Sequence, residues 1–185
     1  MRWRRDRFLE ESYKLVCSEP SDIVNHLPRF VELVKELDAK HVIELGTRTG
    51  VSTIAWLYGL EETGGRLTSV DIDPKPDIGE FDHWTFIRGS DLDPTVLAKL
   101  DPCDICFIDT SHIYEQTVQE LAVYRWLVNP GGVICCHDTL LERPEGAPIR
   151  PRFPVRVAIS EFVNANGFDC MEYSDSWGLA VIKVV

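Results

Sequence analysis

No apolar run in this chain approaches the roughly 18 residues that a membrane-spanning helix requires; the longest apolar stretches have the length of strands. There is no basic surplus. Thirty Asp and Glu against 19 Lys and Arg leave a net charge of −11. That balance lacks the clustered cations a nucleic-acid surface needs, so neither nucleic acid nor membrane is expected as a partner. Internal repeats and low-complexity segments are missing too. Six cysteines are present, but Cys103 and Cys106 have no second matching pair, which argues against a four-cysteine zinc site. Alternation along a strand predicts their thiols on opposite faces. Cys103, Cys106, Cys135 and Cys136 lie in apolar runs and read as small buried hydrophobes of a reduced, cytoplasmic protein. After Arg7, the stretch FLEESYKLV carries Glu10, Glu11 and Lys14 where a signal peptide would need an apolar core of about 7–15 residues. Arg2, Arg4, Arg5 and Arg7 against Asp6 give the first seven residues +3, so the rest carries −14. That start reads as a solvated arm or a contact for an anion or partner.

What is there fits one domain. A chain of 185 residues falls in the usual range of about 100–200. Its 44% apolar and 26% charged residues are ordinary for a globular fold. Residues 1–40 read as an N-terminal helical segment. In 21–37, Ile23, Leu27, Phe30, Val31, Val34 and Leu37 keep helical spacing, with Ser21 or Asp22 as cap and a kink or break at Pro28. Strands follow at 41–45, 66–73, 84–89, 103–109 and 133–138, with helices at about 50–60, 94–100, 114–127 and 155–166. Val118 and Trp126 are placed on the apolar face of the third of these helices, and Pro130, Gly131 and Gly132 turn the chain into the fifth strand. Residues 139–154 have no period and read as a substrate-side loop. The end forms a hairpin. The expected fold is α/β: a Rossmann-like doubly wound sheet of seven strands, mostly parallel, with an antiparallel C-terminal hairpin. Ligands of such sheets bind beyond the carboxyl ends of the strands. Asp71 and Asp73, Asp109, and Asp138 all end strands there.

The first strand-to-helix junction reads Ile43-Glu44-Leu45-Gly46-Thr47-Arg48-Thr49-Gly50-Val51-Ser52. It is neither G-x-G-x-x-G nor a Walker loop, and Glu44 would repel a pyrophosphate but could pair with a cationic amino acid or sulfonium. Asp71 can accept both hydroxyls of a ribose. With Val70-Asp71-Ile72-Asp73-Pro74, Arg88-Gly89-Ser90-Asp91, Phe107-Ile108-Asp109 and Pro130-Gly131-Gly132-Val133, the chain resembles the class I S-adenosylmethionine-dependent methyltransferases over residues 40–185. The resemblance implies Glu44, Gly46, Thr47 and Ser52 around the methionine end, Asp71 at the ribose, Ser90 and Asp91 beside adenine, and Asp109 against the cofactor.

Phe107-Ile108-Asp109-Thr110-Ser111-His112-Ile113-Tyr114-Glu115 further resembles the bacterial metal-dependent O-methyltransferases of sugars and antibiotic-like scaffolds. That resemblance implies Asp109 and Asp138 as metal ligands, with His137 beside them, and His112 as general base, its ordinary pKa near 6.5 suiting proton abstraction. The cation would be Mg2+ or another divalent ion. His137 stands where that branch often carries Glu, and imidazole is a poor magnesium ligand. It is either a transition-metal ligand or a satisfied histidine at a strand end. The expected activity is methylation of a hydroxyl on a small molecule. The alternative is a non-catalytic SAM-binding or partner subunit whose metal site has decayed. Arg143, Arg150, Arg152 and Arg156 are candidates to neutralise an anionic substrate. The small lid suggests a pocket open or shared in a homodimer.

Overall fold

The computed structural model describes residues 2–142 and 151–185, with side chains from Phe8 onward. The chain runs α1 (Arg2–Ser18), a 3₁₀ turn (Val24–His26), α2 (Leu27–Glu36), β1 (His41–Leu45), α3 (Val51–Thr63), β2 (Arg66–Asp71), β3 (Trp84–Arg88), α4 (Pro94–Leu97), β4 (Cys103–Ile108), α5 (Tyr114–Tyr124), β5 (Val128–His137), α6 (Pro154–Asn166), β6 (Asp169–Tyr173) and β7 (Leu179–Lys183). One sheet has the order β3-β2-β1-β4-β5-β7-β6. β1 through β5 are parallel, and β7 is antiparallel to both β5 and β6. The expected sheet is the observed one.

Alternation along the strands builds two cores. Val42, Leu67, Ile105, Phe107 and Cys135 face α2 and α3, where Phe30 and Trp56 stack at 4.3 Å. Ile43, Leu45, Cys106, Ile108 and Cys136 face α5 and α6. A sheet covered on both faces leaves only strand ends for chemistry. The order reverses between β1 and β4, and the crevice opens there.

Several local expectations are corrected. Of the kink or break expected at Pro28 the break is found: the segment divides into the 3₁₀ turn and α2, and Pro28 sits in the first turn of α2, where its missing N–H costs nothing. Neither Ser21 nor Asp22 caps, since the turn begins after Ile23. Asp93 does cap α4, accepting from the Thr95 amide at 2.7 Å. α5 stops at Tyr124, and Trp126 is 77% exposed beyond it; Val118 also faces solvent. The pairs Cys103–Val128 and Ile105–Val133 leave residues 129–132 opposite Asp104 alone. Pro130-Gly131-Gly132 is therefore an excursion inside β5 rather than a turn before it. The register shift on β4 also returns Cys103 to the face of Cys106, so both thiols enter one core. All six cysteines are free.

Candidate active site

Gly46 ends β1 with φ of +88°, and an added Cβ would overlap the Asp109 carbonyl oxygen. Only glycine lets the two central strands diverge this closely. Beyond them lies a cavity of about 470 Å³. Of the expected site residues, Gly46, Thr47, Ser52, Asp71, Ser90, Asp91, Asp109 and His112 line it.

On the β1–β3 side Asp71 and Glu44 are held by neutral donors. The Thr47 amide and hydroxyl donate to Asp71 Oδ2 at 2.6 and 2.9 Å, the Arg48 amide at 3.1 Å, and the Asp73 amide to Oδ1 at 2.9 Å. Partial burial would raise the Asp71 pKa, but these N–H groups outweigh it and hold the carboxylate below its usual range. Asp71 is thus a brace of the glycine turn, with Oδ1 the less occupied oxygen toward the cavity. Glu44 is placed behind the wall rather than on it. Fully buried, it accepts from Ser52, Thr53 and Ser69 hydroxyls at 2.7, 2.9 and 2.6 Å. Two residues after Val42 on β1, it shares that residue's face and turns to the α3 side of the sheet. Burial pushes its pKa up to about 7 in spite of those donors.

On the β4–β5 side the acids are held by imidazoles. His112 Nε2 lies 3.1 Å from Asp109 Oδ1 and 2.9 Å from Asp138 Oδ2. His137 Nε2 donates to the Ser176 carbonyl at 2.8 Å, which turns Nδ1 toward the same two oxygens, at 3.5 and 3.4 Å. That buried Nδ1 makes no hydrogen bond. Burial would lower the His112 pKa, but the two carboxylates outweigh it and lift it to about 9. The same balance raises His137 to about 10. Burial raises the acids, yet the imidazoles win and hold Asp109 and Asp138 below their usual range. With no cation between them, the two carboxylates thus favour the protonated imidazole of His112. His112 and Asp138 both have left-handed backbones, with φ of +54° and +58°; such conformations in non-glycine residues gather at functional sites.

The ligand atoms of Asp109, His137 and Asp138 lie within 4.8 Å of one another. His137 and Asp138 stand behind the cavity wall that Asp109 and His112 form. A buried imidazole nitrogen facing two carboxylate oxygens, its far nitrogen pinned by a carbonyl, becomes the arrangement of a metal-ligating histidine once it gives up its proton. The donor set fits a divalent cation, and its nitrogen favours a transition ion over magnesium.

Other parts of the wall were not expected. Arg48 lines the cavity and pairs bidentately with Asp22 at 2.8 and 2.9 Å, tying the N-terminal segment to the rim. Thr110 and Gln116 line it and donate to Glu120 at 2.6 and 2.8 Å. Glu120 was detectable, as an acid on the helical stripe of Thr117, Leu121 and Tyr124. Arg152 and Arg156 pair instead with Glu142 and Glu172, each at 2.8 Å, away from the cavity; Arg143 and Arg150 lie outside the described residues.

Comparison with known proteins agrees with this geometry. The family model described as "Methyltransferase domain" matches residues 43–139. The O-methyltransferase ankF of Aspergillus thermomutatus is 24% identical over 147 residues, 75% of this chain and 59% of its own length. The chain thus spans well under two thirds of that relative. An O-methyltransferase from Bacillus cereus, solved with SAH, superposes with a TM-score of 0.67 at 20% identity, covering 97% of this chain and 91% of that one. MycE, a methyltransferase of the mycinamycin biosynthetic pathway solved with Mg and SAH, gives 0.68 at 19% identity over 87% of this chain and 49% of that one.

Proposed function

From the premise that the chain belongs to the methyltransferase-domain family, we propose that it transfers the methyl group of S-adenosylmethionine to a hydroxyl oxygen of a small molecule. The observation that carries this reading is the position of Asp109. It borders one cavity with Asp71 and Asp91 on the cofactor side and His112 on the other. A volume of about 470 Å³ suits a small ligand. The O-methyltransferase relative and the SAH-bound neighbour support the same choice.

In the transfer the acceptor hydroxyl yields its proton to the carboxylate–imidazole cluster of Asp109, His112 and Asp138, its oxygen attacks the methyl carbon, the carbon–sulfur bond breaks, and S-adenosylhomocysteine leaves. Gly46 and Thr47 bring backbone to the cofactor, and Asp71 Oδ1 is the acceptor for a ribose hydroxyl. His112 Nε2 holds the proton nearest the acceptor position, between Asp109 and Asp138. Asp109, Asp138 and His137 Nδ1 would hold a divalent cation. When bound, such an ion supplies positive charge that lowers a hydroxyl pKa and orients its oxygen. The neighbour solved with Mg supports a cation here, and the His137 nitrogen favours iron or zinc. One observation favours a subunit that binds cofactor without turnover: two imidazoles already neutralise the two carboxylates.

A methyl-transfer screen over hydroxylated metabolites, run with Mg2+, with Mn2+, and with chelator, decides between them. Turnover in one of the cation arms supports the enzyme. Micromolar S-adenosylmethionine binding by calorimetry without transfer to any acceptor supports the non-catalytic subunit. No such binding, with tight NAD binding instead, would overturn both.

A further inference from the structure

A second acid pair stands on the other side of the cavity, away from the histidines. Asp91, 6% exposed, follows β3 and lines the cavity; Glu120, 0% exposed, comes up from α5 beneath it. Thr110 and Gln116 both donate to Glu120 Oε1. The remaining buried oxygens, Asp91 Oδ2 and Glu120 Oε2, have no donor; Tyr124, one turn beyond Glu120 on α5, donates to the Asp91 carbonyl and so draws the two acids together. Two ionised carboxylates can only accept, so both oxygens would stay orphaned. One proton between them satisfies both at once.

We propose that Asp91 and Glu120 share one proton, and that Glu120 is the positioning residue that keeps Asp91 turned toward the cavity as an acceptor for an amino group of the bound ligand. The inference deepens the S-adenosylmethionine reading, in which that amino group is the exocyclic amine of adenine. A 6-oxo purine offers an acceptor at the same place and is rejected, because a site built for a donor penalises its absence.

The surroundings agree. Burial, then the neighbouring Asp91, push the Glu120 pKa up to about 8 against the Thr110 and Gln116 donors. The titratable groups that face the pair are the Tyr124 hydroxyl of the same helix, which donates to the Asp91 carbonyl at 2.8 Å, the Cys106 thiol of β4 and the Cys136 thiol of β5. Burial raises all three, so they stay neutral while Glu120 titrates.

Two measurements test the proposal. Infrared difference spectra of the ligand-free wild type, taken across pH 6.5–9.5, should show, beside the band of Glu44, a second protonated-carboxyl carbonyl band that fades near pH 8 and is missing in Glu120→Gln. Calorimetry with methylthioadenosine, which carries the adenine but no titrating amino acid, should show wild-type affinity falling about tenfold over the same range, the equivalent of one lost hydrogen bond. Glu120→Gln, whose amide can donate to Asp91 without titrating, should hold its affinity constant. The 6-oxo counterpart should bind at least tenfold more weakly than methylthioadenosine at pH 7. Absence of the band, or parallel affinity profiles for wild type and variant, would overturn the shared proton. The infrared arm uses no ligand, so a failure of the cavity to bind methylthioadenosine at any pH would count against the adenine reading and leave the proton decided on its own.

Discussion

The two sides of the cavity satisfy their acids by opposite means. On the β1–β3 side, Asp71 is met by backbone amides and a threonine hydroxyl, and Glu44 by three hydroxyls. On the β4–β5 side, Asp109 and Asp138 are met by two imidazoles. Amides and hydroxyls keep their state at every physiological pH and cannot be displaced by a cation. Imidazoles titrate, and they compete with a metal for the same oxygens. The Asp71 turn is built for a constant ligand; the imidazole cluster is built to exchange protons and ions.

That contrast can be broken at four points. The largest effect is expected for Asp138→Asn. It removes a carboxylate from the imidazole side and should lower turnover about 10²–10⁴-fold in initial-rate assays, while calorimetric affinity for S-adenosylhomocysteine stays within about threefold. Equal losses of both would erase the division of labour. Gly46→Ala strikes the contact that joins the sides. Strain at positive φ and overlap with the Asp109 carbonyl should cost roughly 3 kcal/mol in urea unfolding. Asp71→Ala tests the neutral side, with cofactor affinity expected to fall by about 1.5–3 kcal/mol for the lost charged hydrogen bonds. It should leave the metal dependence of any residual turnover unchanged.

The smallest effect concerns pH. His112 has its pKa raised on folding to about 9 and His137 to about 10, against an ordinary 6.5. A raised imidazole stabilises the fold fully below about pH 6.5 and loses that contribution as pH climbs through 9 to 10. Metal-free protein should therefore lose about 1–2 kcal/mol between pH 7 and 10, with allowance for the partial exposure of His112. Asp138→Asn should flatten that slope. A wild-type unfolding midpoint that is level over this range would remove the imidazolium cluster.

Much of this was legible in advance. Strand ends in Asp71, Asp109 and Asp138, and the glycine turn at Gly46, are local patterns, and each expected wall residue from Gly46 to His112 reached the cavity. Glu44 was not legible as a buried residue, because its hydroxyl partners come from β2 and α3. The ionisation of His112 was invisible as well: its two carboxylates arrive from different strands. Cys103 misled because a register shift in β4 depends on residues 129–132 of the neighbouring strand.

Sequence alone determined the sheet, the direction of its strands and the edge on which the acids gather, since hydrophobic period and turn chemistry act within a few residues along the chain. The tertiary structure decided which acid is neutralised by which partner. Protonation is set by burial and by charges within a few ångströms in space, and here those neighbours lie far apart in sequence, His137 being 28 residues from Asp109, with spatial proximity the only rule that joins them.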